Sequence, residues 1–142
     1  MNNLIYFFLF LAVISWGAGA FFDKMTLKYL NPNAAFFGRT FVMLVLFVPL
    51  LAARFSLTSK ELASAAKISW LYLFLSVLVT MSGVFFYLKA MSAGEASKIV
   101  PLSSVYPLVT FFLAWLFLGE SINISKFFGA VLISFGIYLV TK

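Results

Sequence analysis

The chain has no cysteine, no histidine and only four acidic residues among its 142. Without cysteine there is no disulfide and no thiolate ligand; without histidine there is no imidazole ligand and no side chain of the usual general-base type near neutral pH. The four carboxylates, Asp23, Glu61, Glu95 and Glu120, lie far apart in turns and beside apolar runs. That placement opposes the paired carboxylates of a hydrolase or protease. It also leaves no acid inside a span to carry a proton in the manner of a small pump. No enzyme activity, catalytic residue, metal site or cofactor is expected. The ten lysines and arginines bring the net charge to +6, but they flank apolar segments one or two at a time and form no patch. They read as anchors among lipid headgroups, with no nucleic acid as partner.

Apolar residues are abundant. They make up 64% of the chain, against about 45–50% in an ordinary soluble domain. Charged residues fall to 10%, where about 25% is typical. The amino terminus, "MNNLIYFFLFLAVISW", has no basic leading region, and its apolar run is too long for a signal peptide, so it reads as a retained helix. A crossing needs about 20 apolar residues. Five stretches meet or approach that length, at 4–22, 33–53, 68–88, 99–119 and 127–141. The last is about 22 Å long at 1.5 Å per residue, short for the bilayer, and calls on Lys126 and Lys142 to snorkel.

The expected fold is therefore all-α: a polytopic membrane protein, one five-transmembrane-helix bundle over residues 1–142, with the lipid bilayer as its solvent. Residues 54–67, "RFSLTSKELASAAK", are expected to form an interfacial helix. Five crossings put the termini on opposite sides. The positive-inside rule has four basic residues on the amino-terminal side (Arg54, Lys60, Lys67, Lys126) to weigh against five on the other (Lys24, Lys28, Lys89, Lys98, Lys142). That tally does not choose an orientation. Either other features override it or the protein inserts both ways.

Several side chains stand out inside these runs. In the third span Ser69, Tyr72, Ser76, Thr80, Gly83 and Tyr87 fall within about 60° of one another on a helix of 3.6 residues per turn. Leu71, Phe74, Leu78 and Phe85 form the opposite side, suited to lipid. The polar stripe either packs against another helix or walls a cavity. In the fourth span Pro107 has no N–H for the carbonyl of Ser103, which predicts a kink there, and Ser103, Tyr106 and Thr110 share one side of it. In the first span Gly17, Ala20 and Lys24 share a face beside Trp16; Lys24 either charges one mouth of a cavity or snorkels. Arg39 lies about 9 Å into the second span, where a charge faces a water-filled cavity or pairs with a helix terminus. Gly129, Ile133 and Gly136 give the fifth span a small-residue face. The segments "MSAGEASKIVPL" and "GESINISK" read as turns, with Gly94 and Gly119 in left-handed positions and Ser97 and either Ser121 or Asn123 capping the next helix.

The stretches "WGAGAFFDK", "NPNAAFFGR", "YLKAMSAGEASKIVPLSSVYPLVTFFLAWLFLGE" and "FFGAVLISFGIYLV" carry a resemblance. The chain resembles the EamA domain of the drug/metabolite transporter superfamily over nearly its whole length, and the third stretch is the most specific. Many members hold two five-helix units in tandem and in opposite orientation, ten helices around a central cavity. The resemblance implies that this single unit is half of such a ten-helix inverted-repeat transporter and that two copies self-associate as an antiparallel, dual-topology homodimer. It also implies a multi-pass protein of the cell (inner) membrane, with a cytoplasmic amino terminus and with 54–67 and 120–126 on the cytoplasmic side. Family substrates, exported or taken up, are diverse small metabolites, including amino acids, drugs and sugar phosphates. Small multidrug resistance relatives depend on a carboxylate in the first span, and 4–22 contains none.

The expected function is transport of a small metabolite or drug-like solute by alternating access. Trp16, Arg39, Tyr72, Ser76, Thr80, Tyr87, Ser103 and Tyr106 are the candidate substrate-binding residues. A lipid-linked-sugar flippase and a non-transporting membrane subunit, holding a partner through its small-residue faces, are the alternatives.

Overall fold

A computed structural model describes residues 3–121 and 123–142. It is helical: α1 (Asn3–Thr26), α2 (Pro32–Ser64), α3 (Lys67–Ala93), α4 (Ala96–Ser103), α5 (Tyr106–Leu118) and α6 (Ile124–Thr141). Four stretches are long and apolar enough to cross a membrane, Leu4–Thr26, Pro32–Ser56, Lys67–Ala93 and Ala96–Leu118, the last combining α4 and α5. Ile124–Val140 is apolar but shorter, so four of the five expected crossings meet the length criterion.

The helix boundaries follow from local chemistry. Asn31 caps α2, its side-chain oxygen accepting from the Ala34 N–H at 2.9 Å, and Pro32 follows in the first turn, where a missing N–H costs nothing. Asn123 caps α6 in the same way, accepting from the Lys126 N–H at 2.8 Å. Of the two residues proposed for that cap, Asn123 is the one used; the Ser121 carbonyl instead accepts from Lys126 Nζ at 3.1 Å. An Asn123→Ala variant is expected to lose about 1 kcal/mol, read as a lowered unfolding midpoint in detergent. Gly119 ends α5 with φ 67°, a left-handed position that a side chain would strain.

Three expectations about boundaries are corrected. Residues 54–67 do not form a separate interfacial helix: α2 continues unbroken to Ser64, because that stretch holds neither glycine nor proline and is rich in good helix formers. The cap of α4 is Glu95 rather than Ser97, without a side-chain hydrogen bond. Gly94 is not left-handed; among the described residues Gly119 alone has positive φ.

The fourth crossing is broken where a kink was expected. Between α4 and α5, Ser104 and Val105 form a turn; the Ser104 N–H reaches the carbonyls of Val100 and Pro101, and the Val105 N–H that of Leu102. Pro107 then falls in the first turn of α5, where no donor is needed. The Ser103 and Ser104 hydroxyls both donate to the Val100 carbonyl, at 2.7 and 3.0 Å. The serines thus satisfy backbone one turn before the break.

The chain divides into two compact units, one of Met1–Phe21 with Ala93–Lys142 and one of Phe22–Ser92. In the first, α4 packs against α6. In the second, the ends of α2 and α3 meet: Phe36 and Phe85 stack edge to face with centroids 5.4 Å apart, and Ala35, Leu88 and Met91 are buried. Phe85, expected to face lipid, therefore belongs to a helix contact.

Candidate functional site

In the second unit an acid and its counter-charge meet near one end of the helices. α1 ends where α2 begins, and α3 returns to that end after the length of α2. Asp23 is three residues from the end of α1, Arg39 seven residues into α2 and Tyr87 six residues from the end of α3. At 1.5 Å per residue all three lie within about 5–11 Å of their helix ends.

Chain order thus brings three helices' polar side chains to one level. The Arg39 guanidinium donates to Asp23 Oδ2 at 2.6 Å, with 42% of the Arg39 side chain and 19% of Asp23 exposed. The Tyr87 hydroxyl lies within electrostatic reach of both charges. One residue after Asp23, Lys24 Nζ donates to the Met91 carbonyl at 2.7 Å. A cation there meets the partial negative charge at the end of α3, which explains why Lys24 turns inward.

Beside the ion pair is a groove of about 390 Å³. Asp23 and Arg39 supply its polar wall; Phe22, Leu30, Val42, Met43 and Leu88 supply the apolar one. Gly38, with nothing within 4 Å of where a Cβ would stand, and Ala35 keep it wide. An apolar concavity with a few convergent polar groups is the form small-molecule sites take.

The EamA-like transporter family matches residues 3–142. The chain belongs to that family.

Relatives agree with the family match. This EamA-like protein is 33% identical, over 133 residues, to an uncharacterised protein of Methanocaldococcus jannaschii, covering 92% of this chain and 91% of that one. It is 28% identical over 124 residues to an uncharacterised transporter in the cobO 3′ region of a Sinorhizobium species, covering 85% and 84%. No solved structure matches it at a significant level. Family and helices together describe a multi-pass membrane protein of transporter type.

In this EamA-like chain the predicted residues are distributed unevenly. Arg39 pairs with Asp23, and Tyr87 lies within electrostatic reach of that pair. Tyr72, Ser76 and Thr80 are exposed on α3, about 10–23 Å along the helix from Tyr87 at 1.5 Å per residue. Trp16, Ser103 and Tyr106 belong to the other unit and are all exposed.

Asp23 was missed. Placing the first span at 4–22 put it just outside the apolar run, whereas the crossing extends through Thr26 and takes the carboxylate in. The first helix long and apolar enough to cross therefore holds one acid near its end, where the run 4–22 held none. The usable signal was a lone acid near the end of one run and a lone arginine near the start of the next.

Proposed function

We propose that this EamA-family chain moves a small polar or amphipathic metabolite across the cell (inner) membrane by alternating access, as an antiparallel homodimer that rebuilds the ten-helix inverted repeat. The observation that carries the reading is the Asp23–Arg39 pair beside a 390 Å³ groove. Charges inside crossings cost several kcal/mol unless they face water or one another, and they mark solute pathways. Each subunit contributes one single-domain, five-span half. The residues proposed to contact solute are Asp23, Arg39, Tyr72, Ser76, Thr80 and Tyr87 of one unit and Trp16, Ser103 and Tyr106 of the other.

The homodimer is supported by unfilled small-residue faces. At Gly17, Gly19, Gly83, Gly129 and Gly136 an added Cβ would meet nothing within 4 Å, and glycine faces allow helices of separate subunits to approach closely. The four-to-five basic tally fits insertion in both orientations. Purified protein in liposomes, screened against a broad metabolite panel, is expected to accumulate at least one solute. The Arg39→Ala, Ser76→Leu double variant is expected to lose that uptake by at least about tenfold, the scale of one lost charged contact. A panel in which nothing moves, or moves equally well with the double variant, would reject the reading.

A further inference from the structure

A second groove, of about 250 Å³, lies where α2 meets α3. Phe36 of α2 and Leu78, Met81, Ser82, Phe85 and Phe86 of α3 line it. Ser82 has the one hydroxyl among these side chains, and it donates to the Leu78 carbonyl at 2.9 Å. No side-chain donor in the lining is left unmatched, so the groove presents hydrocarbon and ring surface and has little with which to hold a polar solute. The Phe85 ring meets those of Phe36 and Phe86 edge to face, with centroids 5.4 and 5.6 Å away. Those rings make a fixed wall, and Met81 adds a side chain that adapts to what lies against it.

One turn beyond Phe85, the exposed Lys89 holds its ammonium over that ring, 4.5 Å from the centroid. Lys89 is about one turn from the end of α3 at Ala93, the level at which a lysine reaches the headgroups. From there to Leu78 is 11 residues, about 16 Å along the helix and close to half of the roughly 30 Å hydrocarbon thickness. The groove therefore spans one leaflet, with a cation at its headgroup end. Neither ion pair among the described residues takes Lys89: Asp23 holds Arg39 at 2.6 Å and Glu95 faces Lys98 at 3.4 Å. Where α1 meets α2 and α3 finishes, Lys24, Lys28, Arg39 and Lys89 stand against Asp23, a surplus of three positive charges. We infer that this groove holds one chain of an anionic phospholipid, its phosphate on the Lys89 ammonium and its hydrocarbon along Phe85, Met81 and Leu78. The lipid is a resident part of the second unit, held in place and not carried. Any acyl chain suits the apolar lining, because lipid tails are as apolar as the groove; the headgroup contact supplies the selectivity. The inference is independent of what the groove beside Asp23 and Arg39 carries.

The test holds the acyl chains constant and varies the headgroup. Purified protein in a neutral detergent is given equal amounts of phosphatidylglycerol (anionic) and phosphatidylcholine (zwitterionic), and retained lipid is counted by native mass spectrometry. One lipid per chain is expected, with phosphatidylglycerol favoured at least about fivefold, the scale of one lysine near an anionic headgroup. Lys89→Gln is expected to lower that preference about fivefold and Lys89→Arg to keep it. Lys98→Gln, which removes the same charge elsewhere in the chain, is expected to leave it unchanged. Ser82→Trp, which puts a ring into the groove at an exposed position, is expected to abolish retention of both lipids. The Lys89 series stands whether or not that variant folds. Glycerol 3-phosphate, a headgroup without a chain, is expected not to compete. Equal retention of the two lipids, an unchanged preference in Lys89→Gln, or competition by glycerol 3-phosphate overturns the inference. So does a Ser82→Cys variant that forms a disulfide with a second copy and retains no lipid, since the groove then belongs to a subunit contact.

Discussion

Arg39→Ala and Asp23→Ala are each expected to lower solute uptake in liposomes by at least about tenfold and to destabilise the protein in detergent, whereas the exchanged pair Asp23→Arg, Arg39→Asp recovers most of the stability. Removing one member of a fully buried pair costs about 3–5 kcal/mol, because its partner is left without a counter-charge. Here 42% of the Arg39 side chain is exposed, so solvent screens part of the loss and about 1–2 kcal/mol is expected. Thermal unfolding of the two single variants and the exchanged double variant measures this as a cycle. If the exchanged variant is no more stable than the singles, the two charges act separately and the pair is not the unit. Single variants with wild-type uptake would remove the pair from the transport pathway.

A cysteine added after Lys142 is expected to react with a membrane-impermeant maleimide from both sides of sealed vesicles, with about half of the chains labelled from each. The chain has no other cysteine, so the readout needs no background removal. An antiparallel homodimer requires the two orientations in equal number, since every pair takes one of each. Labelling confined to one side would end the antiparallel proposal while leaving the charged groove unaffected. Removing a single lysine from the tally, as in Lys60→Gln, which leaves three against five, is expected to bias labelling toward one side, because four against five is close to balance.

Much of the architecture was legible because the bilayer writes it into composition. Apolar run lengths located the crossings, Pro107 located the interruption of the fourth, and Gly119 and Asn123 marked a helix end and a helix start. Errors arose where the edge of an apolar run was equated with the end of a helix. Arg54 ends apolar character but not helical propensity, so α2 runs on to Ser64. Phe22 ends the first run, yet α1 continues to Thr26 and carries Asp23 with it.

Contacts between helices were less legible. Asp23 and Arg39 are 16 residues apart, and Lys24 and Met91 are 67 apart. Periodicity gives the faces of a single helix but not which face meets which neighbour. Phe85 was assigned to lipid because it lies opposite the polar stripe of α3, but its ring packs on Phe36. Lys24 shares a side with Gly17 and Ala20, but what holds its ammonium is a backbone carbonyl at the end of α3, which no pattern of side chains advertises.

The interruption between α4 and α5 concentrates the mechanical compliance of the fourth crossing. α4 has 8 residues and α5 has 13, rods of about 12 and 20 Å. α4 is clasped against α6, and of the two residues that join the rods Ser104 keeps an α-type bond to Val100 while Val105 bonds only three residues back, to Leu102. A bend of the fourth crossing at Val105 would turn α5 without prying α4 from α6. A swing of about 15° moves the far end of a 20 Å rod by about 5 Å, close to one helical turn. The crossing is in effect a lever whose fulcrum is set by Pro107.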